Sequence, residues 1–278
     1  MTTVTQTETT QQVGLTFGGL VAAERIKLLS RVSTLWVAGL IAAMMIATAV
    51  SMAFELDPGG VIDATEVAQL VTGGVVGAQF AGLVLGAIAV GGEYKTGAIR
   101  STFNADPGRL RTLAAKGVVA ASASALVTLG AGVLAFVVAQ IVLRFLGASP
   151  ELVDPVALRM LLGAALHVGA VTVMGVGMAA ALRKTAPAVS LMIALIWTLP
   201  AAASVLPTGI AGTVVSFMPS TAGASLYAAG SGQSAAAFSA MSVQGAETLP
   251  FLAGLAVLLV WVVLFWSLGA WRTVRRDV

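Results

Sequence analysis

The sequence predicts an all-α membrane protein with six transmembrane helices, an N-terminal amphipathic helix and a short cytoplasmic helix between spans 2 and 3. Apolar residues make up 58% of the 278 positions and charged residues only 10%, which leaves too little polar surface to enclose a soluble globule. Several uncharged runs also reach the ~20 residues that a helix needs to cross a hydrocarbon core about 30 Å thick. The bilayer is therefore the expected solvent for most of this chain.

Six runs are long enough to span, and they define a transmembrane domain over residues 33–271. In chain order they cover about 33–54, 67–91, 117–143, 160–182, 188–206 and 249–271. Residues 207–248 are apolar, but several glycines and Pro219 interrupt them, which favours a short external hairpin over a seventh span. Residues 272–278 then form a short tail.

Glycine and proline indicate where the spans pack closely and where they bend. The second span contains two small-x-x-x-small pairs, which allow close approach between helices; they are Gly73 with Gly77 and Gly82 with Gly86. The Leu199-Pro200 pair predicts a kink in the fifth span, because proline cannot donate a helical hydrogen bond.

The N-terminal region divides into two parts. Residues 1–13 are polar with no hydrophobic face, which predicts a disordered cytoplasmic tail. Residues 14–32 mix apolar and charged side chains without a long apolar run, which is typical of an amphipathic helix at a membrane surface. Its charged residues are Glu24, Arg25, Lys27 and Arg31. Such a helix is either a plain interfacial anchor or a docking surface.

The distribution of basic residues predicts the orientation in the cell membrane. If the N-terminus is cytoplasmic, every Lys and Arg except Arg144 and Arg159 falls on the cytoplasmic side. The positive-inside rule therefore places both termini in the cytoplasm. The basic residues flank the spans in small groups, so anionic lipid headgroups explain them better than nucleic acid.

The stretch EYKTGAIRSTFNADPGRLRTLAAK, residues 93–116, carries five of the fifteen Lys and Arg between two apolar runs. Ile99 and Phe103 are four residues apart and share a helix face, and the Asp-Pro-Gly sequence that follows predicts a turn. The pattern favours a short helix whose Phe103 fits a groove on a partner. The alternative is a solvated basic loop that only sets the topology.

Three blocks of the sequence resemble the permease subunits of ABC-2-type exporters, which are six-span proteins that pair with a separate ATPase. The blocks are AERIKLLSRVSTLW, the stretch 93–116 and FMPSTAGASLY. They are similar, in that order, to the interface helix entering the first span, to the coupling helix and its exit, and to the external hairpin before the last span. The resemblance covers nearly the whole chain.

This resemblance implies a dimer with a second permease copy or a paralogue, two ATPase subunits, and a substrate path between the permeases. The coupling helix would cover about 93–106, and the matching ATPase-coupling positions are Glu93, Lys95, Gly97, Ile99, Arg100, Phe103 and Arg109. ATP and Mg would bind to the partner ATPase, so no cofactor is expected in this chain. The chain contains no G-x-x-x-x-G-K-[ST] loop, and it is not expected to be an enzyme.

A few polar or adaptable side chains lie inside the predicted spans. His167, Gln79, Gln140 and Met174 are candidates for a substrate path, and the alternative for each is helix packing. The apolar interior favours a hydrophobic or amphipathic substrate, such as a lipid, drug or peptide, over a small ion.

Two other classes of function remain open. An ion-coupled secondary transporter or channel usually needs charged groups near the membrane midplane, and the spans offer His167 and two glutamines with no buried Asp, Glu, Lys or Arg expected. An intramembrane enzyme lacks support, since there is one histidine, no H-E-x-x-H motif and no G-x-S-x-G turn. A Ser-His dyad using His167 is not excluded by composition.

Overall fold

A computed structural model describes residues 16–56, 61–105, 108–151, 154–203, 205–230 and 248–275. The predicted disordered tail 1–13 lies outside the described residues, as do 231–247 of the predicted external hairpin and the last three residues of the chain. The described chain is helical apart from its connections and one short strand pair, in which Val61–Ile62 (β1) runs parallel to Ser149–Pro150 (β2).

The helices are numbered in chain order. They are α1 (Phe17–Leu29), α2 (Val32–Ala53), α3 (Ala64–Thr72), α4 (Val75–Thr96), α5 (Ala98–Ala105), α6 (Arg109–Phe145), α7 (Pro155–Leu182), α8 (Thr185–Ile193), a π-helix (Ala194–Thr198), α9 (Leu199–Ala203), α10 (Thr208–Ser216), α11 (Pro219–Ala224) and α12 (Phe251–Arg275).

Six helical segments of the described chain are long and apolar enough to cross a membrane, which confirms the predicted number of spans. They are α2, α4, α6, α7, the continuous run Thr185–Ala203 and α12. The chain therefore has the architecture of a multi-span membrane protein. Three helices are longer than the runs predicted for them: α6 begins at Arg109 rather than near residue 117, α7 begins at Pro155 rather than near 160, and α12 continues through Arg275 into the predicted tail.

The second predicted span, residues 67–91, is not one continuous helix. The helix breaks between Thr72 and Val75, where Gly73 and Gly74 connect α3 to α4. A Cβ on Gly74 would lie 2.5 Å from the Cα of Met45 in α2, so a side chain at this position would hold the two helices apart. The prediction was wrong here because glycines inside an apolar run look the same in sequence whether the helix breaks or only packs closely.

Helices α4 and α7 form the centre of the bundle, and small residues let their backbones approach. A Cβ on Gly86 would overlap the carbonyl oxygen of Thr172, and a Cβ on Gly175 would lie 2.6 Å from the carbonyl oxygen of Leu83. Helix α12 approaches α7 in the same way, through Gly177 and Gly269. The close packing predicted from the glycine spacing of the second span is confirmed.

The fifth span changes its helical geometry just before Pro200. Helix α8 passes into the π-helix Ala194–Thr198 and then into α9. Proline lacks an N–H and clashes with the preceding turn, and a wider π-turn relieves both problems without ending the helix. A π-segment therefore precedes Pro200, and the kink predicted at Leu199-Pro200 stays a prediction.

The two ends of the bundle differ in the groups that hold them. At the end where α4 finishes and α6 begins, called the basic end below, charged side chains join the helices. At the opposite end, Arg159 donates to the carbonyl oxygen of Ala228 at 2.6 Å, and Thr65 donates to Asp154 at 2.7 Å. Asp154 also accepts from the N–H of Val156, and these two hydrogen bonds lower the pKa of its carboxyl.

Candidate functional site

A group of five charged side chains lies at the basic end and joins three parts of the chain. We call it the buried ion cluster. Its members are Glu24 and Lys27 of α1, Arg31 of the link to α2, Glu93 of α4 and Lys116 of α6. The cluster therefore connects the N-terminal helix to the residues on both sides of the short helix α5.

Lys116 is the centre of the cluster. Its Nζ lies 2.6 Å from Oε1 of Glu93 and 2.8 Å from Oε2 of Glu24. The side chain of Lys116 is only 2% exposed, that of Glu93 is 3% exposed and that of Glu24 is 11% exposed. A buried ammonium needs such partners, because moving an unpaired charge out of water costs several kcal/mol.

The remaining charges complete the pairing of both carboxylates. Lys27 donates to the second oxygen of Glu24 at 2.8 Å and lies 3.4 Å from Glu93, while Arg31 lies 3.8 Å from Glu93. The other oxygen of Glu93 lies 3.5 Å from the hydroxyl of Thr102 in α5, which also donates to the carbonyl oxygen of Ala98 at 3.1 Å. Glu93 therefore lies directly beside the short helix.

The electrostatics of α1 follow from this arrangement. Burial raises the pKa of the Glu24 carboxyl, but the ammonium groups of Lys116 and Lys27 outweigh it and hold the pKa below its usual value of 4.5. Burial lowers the pKa of Lys27, but Glu24 and Glu93 outweigh it, so the pKa lies above its usual value of 10.5. Both groups are therefore charged around neutral pH.

Helix α5 occupies the position predicted for the coupling helix, although it begins later than predicted. Helix α4 continues through Glu93 to Thr96, and Gly97 ends it because its φ of 75° is left-handed and favours glycine. The chain then re-enters a helix at Ala98. The predicted coupling segment 93–106 therefore consists of the end of α4 followed by a separate short helix.

The predicted coupling residues fall into two groups. Lys95, Gly97 and Arg100 are exposed, whereas Glu93 belongs to the buried ion cluster and Ile99 is only 3% exposed. Arg109 donates to the carbonyl oxygen of Thr273 at 3.4 Å, and the side chain of Phe103 lies outside the described residues. The coupling role of all seven residues stays a prediction.

Helix α1 has one buried side but does not show a single apolar face. Leu20, Glu24 and Leu28, spaced four apart, point into the protein. Ile26 and Leu29 are also apolar, but they lie on the other side of the helix and are both more than 60% exposed. Arg25 is exposed beside them. The amphipathic character of this helix is therefore not confirmed and stays a prediction.

Two of the four predicted path residues, His167 and Gln79, contact each other inside the bundle. The Nε2 of His167 lies 3.1 Å from Oε1 of Gln79, and the histidine is completely buried. Its ring centroid lies 5.6 Å from that of Tyr227, and its Nδ1 has no hydrogen-bond partner among the described residues. Gly223 of α11 lies directly against this nitrogen.

The other two predicted path residues are not part of that contact in the described structure. Gln140 donates to the carbonyl oxygen of Glu151 at 3.0 Å, near the end of α6. Met174 is completely buried in an apolar cluster with Leu83 and Val171. The structure thus pairs Gln79 with His167 and leaves a common path for all four residues unsupported.

An apolar groove lies between α7, the fifth span and α12. Its volume is about 400 Å³, and apolar atoms line almost all of it. The lining residues include Met178, Leu191, Met192, Leu195, Leu199 and Phe265. A groove of this size and composition suits an apolar ligand.

Neither the groove nor the burial of the ion cluster was predicted from the sequence. Glu93 and Lys116 lie just outside the predicted spans, and the structure buries both at the basic end. One signal was present in the sequence: Glu93 is the only acidic residue of α4, and Glu24 is the only one of α1. An isolated carboxylate in an otherwise apolar or basic helix calls for a cation from elsewhere in the fold.

Among the described residues, no group of three or more His, Asp or Glu is placed to hold a metal ion. No protein-family model matches this sequence, and a search of curated proteins found no significant match.

Proposed function

We propose that this chain is the membrane-spanning permease subunit of an ATP-driven exporter, similar to the ABC-2 type. It would work as a dimer with a second copy or a paralogue, and two separate ATPase subunits would bind ATP and Mg. The chain itself would not be catalytic. The short helix α5 would face the cytoplasm and receive the force that ATP binding and hydrolysis generate.

The observation that carries this proposal is the buried ion cluster. A helix of eight residues in a solvated loop would move independently of the spans, so pushing on it would accomplish little. Here Glu93 and Lys116 flank α5, form an ion pair at 2.6 Å, and each also pairs with a charged residue of α1. A force on α5 would therefore reach α1, α4 and α6 together.

The apolar groove supports the substrate class. Met178, Met192 and Phe265 offer soft, adaptable apolar contacts, and the groove offers almost no polar surface to replace the hydration of an ion. A lipid, a hydrophobic drug or an apolar peptide would suit it. Export, rather than uptake, comes from the resemblance of the sequence blocks described above.

A secondary transporter or channel is the competing class of function, and the pair formed by His167 and Gln79 is the observation that favours it. The pair contains one buried titratable group, His167, with a single described polar partner. A proton or ion would therefore find few groups to bind along a path through the bundle. The ion cluster does not add to such a path, because its carboxylates are fully paired at one end of the bundle.

Topology and partnership can be tested together. The sequence contains no cysteine, so Ser101→Cys in exposed α5 provides a unique site for a membrane-impermeant maleimide. The proposal expects labelling in inverted vesicles and not in intact cells. Leu252→Cys, near the end of α12 that lies opposite the basic end, is the control and should show the opposite accessibility.

The proposal also expects a P-loop ATPase to co-purify with the tagged chain. This association should be lost when Arg100→Glu reverses a charge on α5.

Labelling of Ser101→Cys from outside intact cells would contradict the proposed orientation and with it the coupling role of α5. If the chain alone carried a hydrophobic dye across liposomes under an ion gradient, the secondary transporter would replace the exporter.

A further inference from the structure

A second set of contacts at the basic end joins the short helix to spans 4 and 6. Among the described side chains of α5, Ile99 is the buried one, while Arg100 and Ser101 are exposed. Ile99 lines a small cavity together with Tyr94 of α4 and Thr273 of α12. The inner face of α5 therefore rests on the ends of other spans.

Thr273 is held by residues from both sides of α5. The Tyr94 hydroxyl lies beside the Thr273 side chain at the same small cavity, and Arg109 donates to the Thr273 carbonyl oxygen at 3.4 Å. The Thr273 hydroxyl donates to the carbonyl oxygen of Gly269 at 2.8 Å. Thr273 is 1% exposed, which protects these bonds from water.

The end of span 4 contacts the same tyrosine. The guanidinium carbon of Arg183 lies 5.7 Å from the centroid of the Tyr94 ring, within the range of a cation–π contact. Arg183 has a φ of 56°, and it is the non-glycine residue with positive φ in the described chain. An arginine in this region is strained, and such strain is typical of segments whose position is functionally constrained. Nearby, Arg272 donates to the carbonyl oxygen of Ala181 at 2.9 Å, joining spans 4 and 6.

We propose that Tyr94, Thr273 and Arg183 are positioning residues that transmit movement of the short helix to spans 4 and 6. They complement the buried ion cluster, which joins the same helix to α1, α4 and α6. The origin of the movement rests on the proposed function, whereas the contacts and the test below do not. Since spans 4 and 6 line the apolar groove, movement passed through Tyr94 reaches the groove walls.

Spin-label distances in the full chain test this proposal directly, because the sequence has no cysteine to remove. One labelled pair, Ser101→Cys with Val274→Cys, reports the position of α5 relative to the end of span 6. A second pair, Ser51→Cys with Leu252→Cys, reports the opposite end of the bundle. All four positions are exposed, so labels there leave the packing intact.

Three substitutions test these contacts. Tyr94→Phe keeps the ring and removes the hydroxyl, and Thr273→Val removes the neighbouring hydroxyl with little change in volume. Arg183→Asn keeps a residue that tolerates positive φ but removes the guanidinium. The matched control is Ser267→Ala, which removes an exposed hydroxyl from the same helix as Thr273.

The expected result is a broader 101–274 distance distribution for each of the three variants, an unchanged 51–252 distribution, and no change in either for Ser267→Ala. Two results would overturn the proposal: an unchanged 101–274 distribution, or broadening of both pairs, which would indicate general loosening instead. Failure of the proposed function would give a different result: ATP-dependent transport would be absent, while the distance distributions of the variants would still change as described.

Discussion

The ammonium of Lys116 and the carboxylate of Glu93 form a 2.6 Å ion pair in which both side chains are almost completely buried. The two residues are 23 positions apart, and the short helix α5 lies between them in the chain. The pair therefore closes the connection between the second and third spans at its base.

Lys116→Met should destabilise the protein by about 3–5 kcal/mol, because it leaves the buried carboxylates of Glu93 and Glu24 without their shared cation. Thermal unfolding of the purified chain in detergent measures the loss. Lys95→Met is the matched control, since Lys95 is exposed only two residues from Glu93. Equal melting temperatures for Lys116→Met and the unmodified protein would show that the cluster adds nothing to stability.

The lowered pKa of Glu24 predicts a loss of stability in acid. A carboxyl whose folded pKa lies below its unfolded value of 4.5 stabilises the protein above that value and loses this contribution as the pH falls through the folded pKa. Melting temperatures measured from pH 6 down to pH 3 should therefore fall below about pH 4.5.

The substitution Glu24→Gln provides the comparison for this pH profile. It should lower the melting temperature at pH 6 and reduce the further fall in melting temperature between pH 6 and pH 3, because a neutral amide does not titrate. An equally large fall in Glu24→Gln would assign the pH dependence to other carboxyls.

Gly223→Ala should disturb the packing of α11 on α7. The added Cβ would overlap the ring of His167, which is fully buried and fixed by its contact with Gln79, so the expected cost is about 1–3 kcal/mol. Gly209→Ala, also in the segment after the fifth span, has open space around the new Cβ and should be nearly neutral. Equal melting temperatures for the two alanine variants would contradict the close packing of Gly223 on His167.

Filling the apolar groove should weaken the binding of hydrophobic ligands. Leu195→Trp adds bulk to a residue that lines the groove, whereas Ile193→Trp adds the same bulk two residues away on an exposed position outside the lining. Titration of a hydrophobic dye whose fluorescence rises in an apolar site should show roughly tenfold weaker binding for Leu195→Trp alone, a loss of about 1.4 kcal/mol. Equal affinities in the two variants would place the dye elsewhere.

The parts of the fold that depend on composition could be predicted from the sequence, and those that depend on pairing between distant residues could not. The six spans follow from uncharged runs that any spanning helix requires. The break at Gly73 and Gly74 did not follow, because it depends on how closely α2 approaches. The spacing of glycines in the second span predicted its close packing, since small residues act wherever a neighbour approaches.

The candidate site divides in the same way. The charge pattern of residues 93–116 marked the segment that holds α5, but no local pattern shows that Lys116 turns inward to Glu24, 92 positions away. Ile99 was predicted to share a helix face with Phe103, and the structure buries Ile99 beside Tyr94 and Thr273. Helical spacing tells which residues share a face, while the direction of that face depends on the tertiary fold.

The most direct test of the central claim is the rate at which a fluorescent phospholipid crosses the membrane of proteoliposomes that contain this chain, with and without its co-purified ATPase. The account predicts movement only when the ATPase and ATP are both present, and loss of that movement in the Arg100→Glu variant although the variant inserts normally. Movement at the same rate by the chain alone, without ATP, would contradict it.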